Sequence, residues 1–272
     1  ERIAVKGYRL PYGFEALSLT GLQQACGMDT RIAFYDQVDS TNSEAIRLIK
    51  ANQIMDLVIA EAQTGGKGRR GRRWTSPYGS NLYMSMVWPV SRVVRQLESL
   101  SLVVGLAVVR VLRELELEAG VKWPNDVLVY GKKISGILLE LIGDPADQSF
   151  VVIGVGINVN SQTFAEQIGQ PWTSIALETG VQHSRNTLIG LLYRHLSEML
   201  AVHEKEGFLA FRDEWNACEL WSGQRVHLSM GGRIIEGRYS GVNERGEVGI
   251  CSDGEATFYS GGELSLRLAN DH

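Results

Sequence analysis

The sequence predicts an α+β protein in which a mixed sheet is followed by a small β-barrel. Three observations carry this. Short apolar runs rich in β-formers alternate with stretches of helical periodicity, the pattern of a sheet covered by helices. After Trp221 the texture changes to short strands punctuated by glycine turns, the pattern of a small barrel. The length of 272 residues and the 44% hydrophobic content suffice for one large core and one small one.

In chain order, Asp56 to Ala62 reads as a strand, and Leu82 to Trp88 as a second that Pro89 should close. Leu97 to Leu115 carries apolar residues on nearly every face, which suits a buried central helix. Its apolar stretch, Leu100 to Leu112, is too short to span a bilayer and contains Arg110. Further strands are expected over Val127 to Tyr130, Ile134 to Ile142 and Phe150 to Val159. Leu188, Leu191, Leu192, Leu196 and Leu200 recur at helical spacing within Asn186 to Val202. A domain boundary is expected near Glu219 to Ser222. Beyond it, turns fall at Gly231-Gly232, Arg245-Gly246, Asp253-Gly254 and Gly261-Gly262.

The net charge of -4 gives no general attraction to nucleic acid or to an anionic membrane. Cys26, Cys218 and Cys251 lie far apart and show neither zinc spacing nor a disulfide framework, so a reducing cytoplasm is the expected setting. No signal peptide, internal repeat or low-complexity tract is visible.

The sharpest motif runs from Gly66 to Trp74. Lys67, Arg69, Arg70, Arg72 and Arg73 repel one another unless an anion joins them, and Gly66, Gly68 and Gly71 let the backbone approach that anion. Arginine forks match phosphate oxygens. A solvated basic loop or a nucleic-acid patch is the competing reading. The spacing of the three glycines also fits the dinucleotide fingerprint, but Trp74-Thr75-Ser76-Pro77 follows where that fingerprint needs a helix.

A second motif is Lys122-Trp123-Pro124-Asn125-Asp126, followed by Lys133-Ile134-Ser135-Gly136. Asp126 is a candidate magnesium ligand, directly or through water, because magnesium takes few carboxylates and keeps phosphate and water ligands. Lys133 opens an apolar strand, so its charge is a candidate to face inward. A Pro-Asn-Asp turn and a hairpin at Gly131-Lys132 are the plain alternatives. Thr41-x-x-Glu44 reads as a capping box, and the same helix start offers Ser40 and Thr41 to a polar ligand. Gln63 ends a strand before the basic loop. Gly154 and Gly156 inside a strand suggest either a bulge or close approach of a ligand.

Taken together, Asp39 to Asn42, Gly66 to Trp74, Lys122 to Asp126, Lys133 to Gly136 and Gly154 to Asn158 resemble, in this order, the motifs of biotin–protein ligases of the biotin-operon-repressor type. Gly261-Gly262-Glu263-Leu264-Ser265-Leu266 resembles the end of that family's C-terminal barrel. Lys67 stands where the bacterial pattern usually reads arginine. The resemblance implies a class II synthetase-like catalytic domain over 13–219 and an SH3-like barrel over 220–272. Residues 1–12 would be the remnant of a winged helix-turn-helix wing, on the likeness of Val5 to Pro11.

The implied activity is condensation of biotin with MgATP to biotinyl-5′-AMP, then transfer of biotin to a lysine of a biotin carboxyl carrier protein. No permanently bound prosthetic group is implied. The resemblance assigns catalysis to Lys133, Arg69 and Arg72. It assigns biotin binding to Ser40, Thr41, Gln63, Gly65, Lys67, Arg69, Lys133, Gly136, Gly154 and Gly156. Nucleotide binding falls to Arg69, Arg70, Arg72, Trp74, Asn125, Lys133 and Asn158. It further implies a homodimer through the strand Ile137 to Ile142, operator DNA as a partner of the intact parent only, and no membrane. A lipoate–protein ligase shares the fold and carrier chemistry but usually lacks the dense Gly/Arg loop. A nucleic-acid-binding module is disfavoured by the acidic net charge and the narrow basic face.

Overall fold

The computed structural model describes residues 2–3, 7–8, 15–90, 97–143, 149–163, 168–252, 254–260 and 264–269. The elements run β1 (Arg2–Ile3), β2 (Gly7–Tyr8), α1 (Leu19–Cys26), β3 (Ile32–Val38), α2 (Thr41–Lys50), β4 (Leu57–Gln63) and β5 (Leu82–Val90). They continue through α3 (Leu97–Glu114), β6 (Ala119–Lys122), β7 (Asp126–Val129), β8 (Lys132–Gly143), β9 (Ser149–Ile157), α4 (Ile175–Thr179), α5 (Arg185–Glu206) and α6 (Leu209–Cys218). The chain ends with β10 (Arg225–Met230), β11 (Arg233–Val242), β12 (Val248–Ser252), β13 (Glu255–Tyr259) and β14 (Ser265–Leu268).

Seven strands form one mixed sheet in the order β3-β4-β5-β9-β8-β7-β6. Only β3 and β4 are parallel, joined by the crossover helix α2, and the other pairs are antiparallel. The five C-terminal strands make an antiparallel sheet in the order β13-β12-β11-β10-β14. This is the α+β architecture that the apolar runs predict. Of the wing-like segment Val5 to Pro11, only Gly7 and Tyr8 are described, and they pair with Ile3 and Arg2. The Gly261-Gly262 turn and Asp253 also fall outside the described residues.

Helix α3 is apolar on nearly every face because its centre, Leu102 to Val109, is buried on every face. Val103, Leu106, Val109 and Leu112 are fully buried between the sheet and α5. Its one central cation, Arg110, is held by both carboxylate oxygens of Glu214 at 2.9 and 2.6 Å. One hydrophobic cluster runs without a break from α3 and the large sheet to Val226, Leu228, Tyr239 and Ile250 of the small one. At the far side, Arg185 and Glu61 form a buried ion pair at 2.6 Å, with side chains 1% and 2% exposed. Such a pair is tolerable only when every remaining polar atom is bonded. Here Leu17 N–H donates to Glu61 and Arg185 donates to Glu15 O, so the pair also fastens the segment leading into α1.

Among the contacts that join the sheets, two involve the chain around the end of α6. The chain leaving α6 bridges β6 in parallel at Val121 and Glu219, with Leu220 N–H donating to Val121 O at 3.3 Å. The Asn216 side chain both donates to and accepts from the Val242 backbone, at 3.2 and 2.9 Å. Burial pushes the Glu219 carboxyl at this junction up to about 7.

Several sequence expectations need correction. Pro89 does not close its strand: β5 runs to Val90, with Pro89 paired to Phe150. By then β4 has ended on the other side, so the missing N–H disrupts no ladder. The hairpin between β7 and β8 turns at Tyr130-Gly131, both at positive φ, rather than at Gly131-Lys132. The cap of α2 is Ser40, whose hydroxyl accepts from Ser43 N–H, so Thr41 is the first helical residue and not the cap. Glu44 does not reach back; it bonds Tyr35 and Arg47. Strands β3 and β6 and helices α1, α4 and α6 were not expected.

Candidate active site

The site begins where α2 meets the sheet. Thr41 N–H donates to Gln63 Oε1 at 2.8 Å, joining the helix start to the end of β4. Gln63 Nε2 donates to Ser76 Oγ at 2.9 Å, and Ser76 donates to Trp74 O at 3.1 Å. Deeper in, Ser85 Oγ lies 2.6 Å from Asn42 Oδ1 and 2.8 Å from Thr41 Oγ1. Asn42 Oδ1 can only accept, so Ser85 donates there and Thr41 keeps its own proton for Ser85 or Gln63. Asn42 Nδ2 donates to Leu138 O at 3.2 Å and to Glu140 Oε2 at 2.8 Å. Beside the entrance, the Arg47 guanidinium bonds Asp39 and holds its carboxyl down to about 2.

The basic segment folds as a short hairpin. Lys67 bridges Arg73, and Gly68 N–H donates to Arg72 O at 2.7 Å. Its tip turns through Arg70 and Gly71, both at positive φ. Lys67 Nζ donates to Ser43 Oγ at 2.9 Å, a contact that fixes the hairpin stem to α2. The hairpin leads into Trp74, whose ring lies flat against the sheet at two glycines. A Cβ on Gly156 would sit 2.6 Å from the indole, and one on Gly136 would sit 3.1 Å from it. Trp74 Nε1 is buried and has no hydrogen-bond partner.

Lys133, 13% exposed, points its ammonium at Asp126 Oδ1 (2.7 Å) and stands 5.5 Å from the Trp74 ring centroid. Its backbone is gripped by the segment after β9: Lys133 N–H donates to Pro171 O and Thr173 N–H to Lys133 O, both at 3.0 Å. Arg69 spans the gap from hairpin to barrel, with Nη1 at 3.4 Å from Asn125 Oδ1 and Nη2 at 3.4 Å from Leu264 O.

These residues bound two connected spaces. A narrow pocket of about 100 Å³ is lined by Ser40, Thr41, Gln63, Lys67, Arg69, Arg72, Trp74, Asn125, Lys133, Gly136, Gly154 and Gly156, all expected from the sequence. A wide cleft of about 720 Å³ opens between the β6–β7 end of the sheet and strand β14. Among the described residues, Arg69, Arg70, Arg72, Lys122, Lys133 and Arg267 face it against one carboxylate, Asp126. Arg70 and Asp126 line only the wide cleft. Asn158 lies behind Trp74 in a recess of about 50 Å³, with its Nδ2 donating to Thr173 O. Gly65 lines none of these spaces; its N–H donates to Asp39 O at 2.8 Å.

Asn42, Ser85, Gln170 and Trp172 were missed. Asn42 lay inside the motif, and Gly154 marks it, because a Cβ on Gly154 would overlap the Asn42 amide. Gln170 lines all three spaces and carried no local signal. Among the described residues no group of three or more His, Cys, Asp or Glu could hold a metal by itself. Asp126 offers one carboxylate, which fits an ion that brings most of its oxygen ligands with it. Chemically, the narrow pocket offers directed hydrogen bonds and the wide cleft offers positive charge to a polyanion. Lys133 belongs to both.

The family model described as Biotin/lipoate A/B protein ligase family matches residues 34–158. The chain is 37% identical over 268 residues to the bifunctional ligase/repressor BirA of Escherichia coli strain K12, covering 97% of this chain and 82% of that protein. It is 32% identical over 237 residues to the biotin–[acetyl-CoA-carboxylase] ligase of Mycobacterium tuberculosis, covering 84% and 86%. The fold matches the biotin protein ligase of Aquifex aeolicus, solved in complex with biotin and ATP, with a TM-score of 0.77 and 31% identity over 88% of this chain and 99% of that one.

Proposed function

The chain belongs to the biotin protein ligase family, and from that premise we propose how its two spaces divide the reaction. The enzyme activates biotin with ATP, releasing pyrophosphate and forming biotinyl-5′-AMP. It then transfers biotin to a lysine of a biotin carboxyl carrier protein, releasing AMP.

The narrow pocket takes biotin. The polar ureido ring meets Ser40, Thr41 and Gln63 near the helix start, while Gly136, Gly154 and Gly156 let the apolar part lie close to the sheet. The carboxylate then points to Lys133, where the spaces join. The wide cleft takes the triphosphate against Arg69, Arg70 and Arg72, with Trp74, Asn125 and Asn158 on the adenosine side. The observation that carries this reading is the position of Lys133, a shielded cation at the one place where two anions must meet. Its preorganised charge stabilises the negative charge that grows on phosphate oxygens during attack by the carboxylate at the α-phosphorus. Magnesium would neutralise the triphosphate, with Asp126 as its protein ligand directly or through water. The hairpin 66–74 covers the mixed anhydride and limits its hydrolysis until the carrier lysine attacks the acyl carbon.

The division of the chain is proposed as a wing end over 1–12, a catalytic unit over 13–219 and an SH3-like barrel over 220–272. A second copy is a proposed partner through Ile137 to Ile142. Strand β7 covers β8 only from Lys132 to Gly136, and no strand covers its outer side beyond that among the described residues. Operator DNA is a proposed partner where a complete winged helix-turn-helix precedes the catalytic unit. The unpaired cysteines favour the cytoplasm, and no helix among the described residues is long and apolar enough to cross a membrane.

The test is incubation with MgATP and either biotin or lipoate, followed by mass analysis of bound ligand. Biotinyl-5′-AMP is expected. A lipoyl adenylate alone would move the chain to the lipoate branch, and no adenylate from an active preparation would reject the assignment.

A further inference from the structure

We propose that Trp123 is a positioning residue that sets the nucleotide side of the site through the C-terminal barrel. The inference rests on reading the wide cleft as the nucleotide side. Within the Lys122 to Asp126 motif, the neighbours of Trp123 face that cleft. Lys122 Nζ stands 4.6 Å over the Trp221 ring, Asn125 meets Arg69, and Asp126 pairs with Lys133. Trp123 borders the cleft as well, but its indole reaches past it to the small sheet. It is 2% exposed, and its indole N–H donates to Gly246 O at 3.2 Å.

Gly246 lies in the turn between β11 and β12, at a φ of +77°. A Cβ there would sit 2.9 Å from Leu102 Cδ1 and 3.0 Å from Ser99 Cβ on α3. The turn is therefore held on two sides, packed against α3 and hydrogen-bonded to Trp123. Neither partner of that bond is free to find water when it breaks, so its loss leaves an unpaired buried group.

The position of this turn reaches the active site through the ladder. Strand β11 pairs with β10, and β10 pairs with β14. Leu264 to Leu268 form the wall of the wide cleft that faces Asn125 and Asp126. Arg69 bridges the two walls at Asn125 and Leu264, so its reach depends on their separation. None of the described residues lining the narrow pocket comes from the barrel. A small shift of the barrel should alter handling of the nucleotide more than biotin binding, since, of the bridging residues, only Arg69 and Asn125 also border the narrow pocket. One member of the motif thus bonds the turn between β11 and β12, from which the ladder leads to the far wall.

The experiment compares the parent with Trp123→Phe, which keeps an aromatic ring and loses the N–H, with Gly246→Ala, and with the double variant. Pyrophosphate release is followed while ATP and biotin are varied separately. Trp123→Phe should raise KM for ATP about fivefold or more, with KM for biotin changed less than about twofold. Gly246→Ala should give the same split from the opposite side of the contact. The double variant should fall short of the sum of the two single effects, because both disturb one turn, Gly246→Ala from its α3 side. An unchanged KM for ATP in Trp123→Phe, or an equal rise for biotin, would overturn the proposal.

Amide hydrogen exchange supplies a readout that needs no activity. Exchange should quicken in 243–247 and 264–268 of Trp123→Phe and stay the same in 57–63. Unchanged protection in 264–268 would also overturn the proposal. A parent that releases no pyrophosphate with biotin would instead reject the functional reading, while exchange would still decide whether Trp123 holds the barrel wall.

Discussion

The narrow pocket and the wide cleft share Lys133, Arg69 and Asn125, yet they are built in opposite ways. In the pocket, polar side chains are tied to one another: Thr41 to Gln63, Ser85 to Asn42, Asn42 to Glu140. These groups sit on one sheet and one helix start, so their positions are fixed by the core. In the cleft, among the described residues, six cations face one carboxylate, and the walls come from the hairpin, the sheet and the barrel. Discrimination between small ligands needs directed, immobile hydrogen bonds. Phosphate handling needs charge and can tolerate a seam between units.

Lys133→Ala should have the largest effect because Lys133 is the shielded cation at the place where the two regions meet. The rate of pyrophosphate release should fall on the order of 10²–10³-fold, the usual cost of one preorganised electrostatic group. Equilibrium biotin binding, measured by calorimetry without ATP, should change much less. Equal losses in both would erase the distinction drawn here.

Arg69→Gly should act mainly on the cleft, because Arg69 bridges its walls at Asn125 and Leu264, although it also borders the pocket. Loss of a charge-assisted contact of roughly 1.5–3 kcal/mol should speed dissociation of purified biotinyl-5′-AMP about tenfold or more. Thermal stability should stay near the parent's, since the residue lies in the hairpin tip. An unchanged dissociation rate would mean that this guanidinium contributes nothing to ligand retention.

Gly154→Ala should act on the pocket alone. The added methyl overlaps the Asn42 amide, and overpacking of about 1–3 kcal/mol should raise KM for biotin about fivefold or more. KM for ATP should hold. A rise in both would show that the two regions move together.

Glu219→Gln should touch neither region. Burial raises the folded-state value of this carboxyl to about 7, so the folded protein holds its proton more tightly than the unfolded chain does. Its stabilising contribution is full below the ordinary carboxylate range and is lost as pH rises through about 7. The variant should match the parent near pH 4 and exceed it near pH 8, by on the order of 1–3 kcal/mol. Melting curves at both pH values decide this, and parallel curves would remove Glu219 from the pH response.

What the sequence disclosed follows the same division. The cleft announces itself through composition, because a dense basic run beside glycines is rare in an acidic chain. The pocket is quieter. Asn42 and Ser85 are 43 positions apart, and their partnership exists only once α2 lies on β5. The buried strands β4, β5 and β9 and the half-buried β8 were legible as apolar runs. Strand β3 was not, because as a sheet edge it keeps Asp36 and Gln37 exposed and breaks the pattern. Strand β6 was too short at four residues. The spacing of Phe211, Trp215 and Cys218 is helical and could have revealed α6. The Thr41-x-x-Glu44 pattern misled by one residue, since Ser40 is the cap and Thr41 serves Gln63.

The parallel bridge between Val121 and Glu219 bears on how the barrel could be studied by removing it. Strand β6 is the last in the large sheet, and its outer backbone is covered there by the chain leaving α6. Cutting before Glu219 would strip that cover and present an unpaired strand rim, the surface from which sheets stick to one another. It would also uncover Gly120, where Leu220 now fills the space that a side chain would need. A shortened enzyme made this way would confound lost catalysis with clumping. A cut after Trp221 keeps the cover in place, and the solubility of the two truncations side by side separates the barrel's contribution to chemistry from its service as a guard.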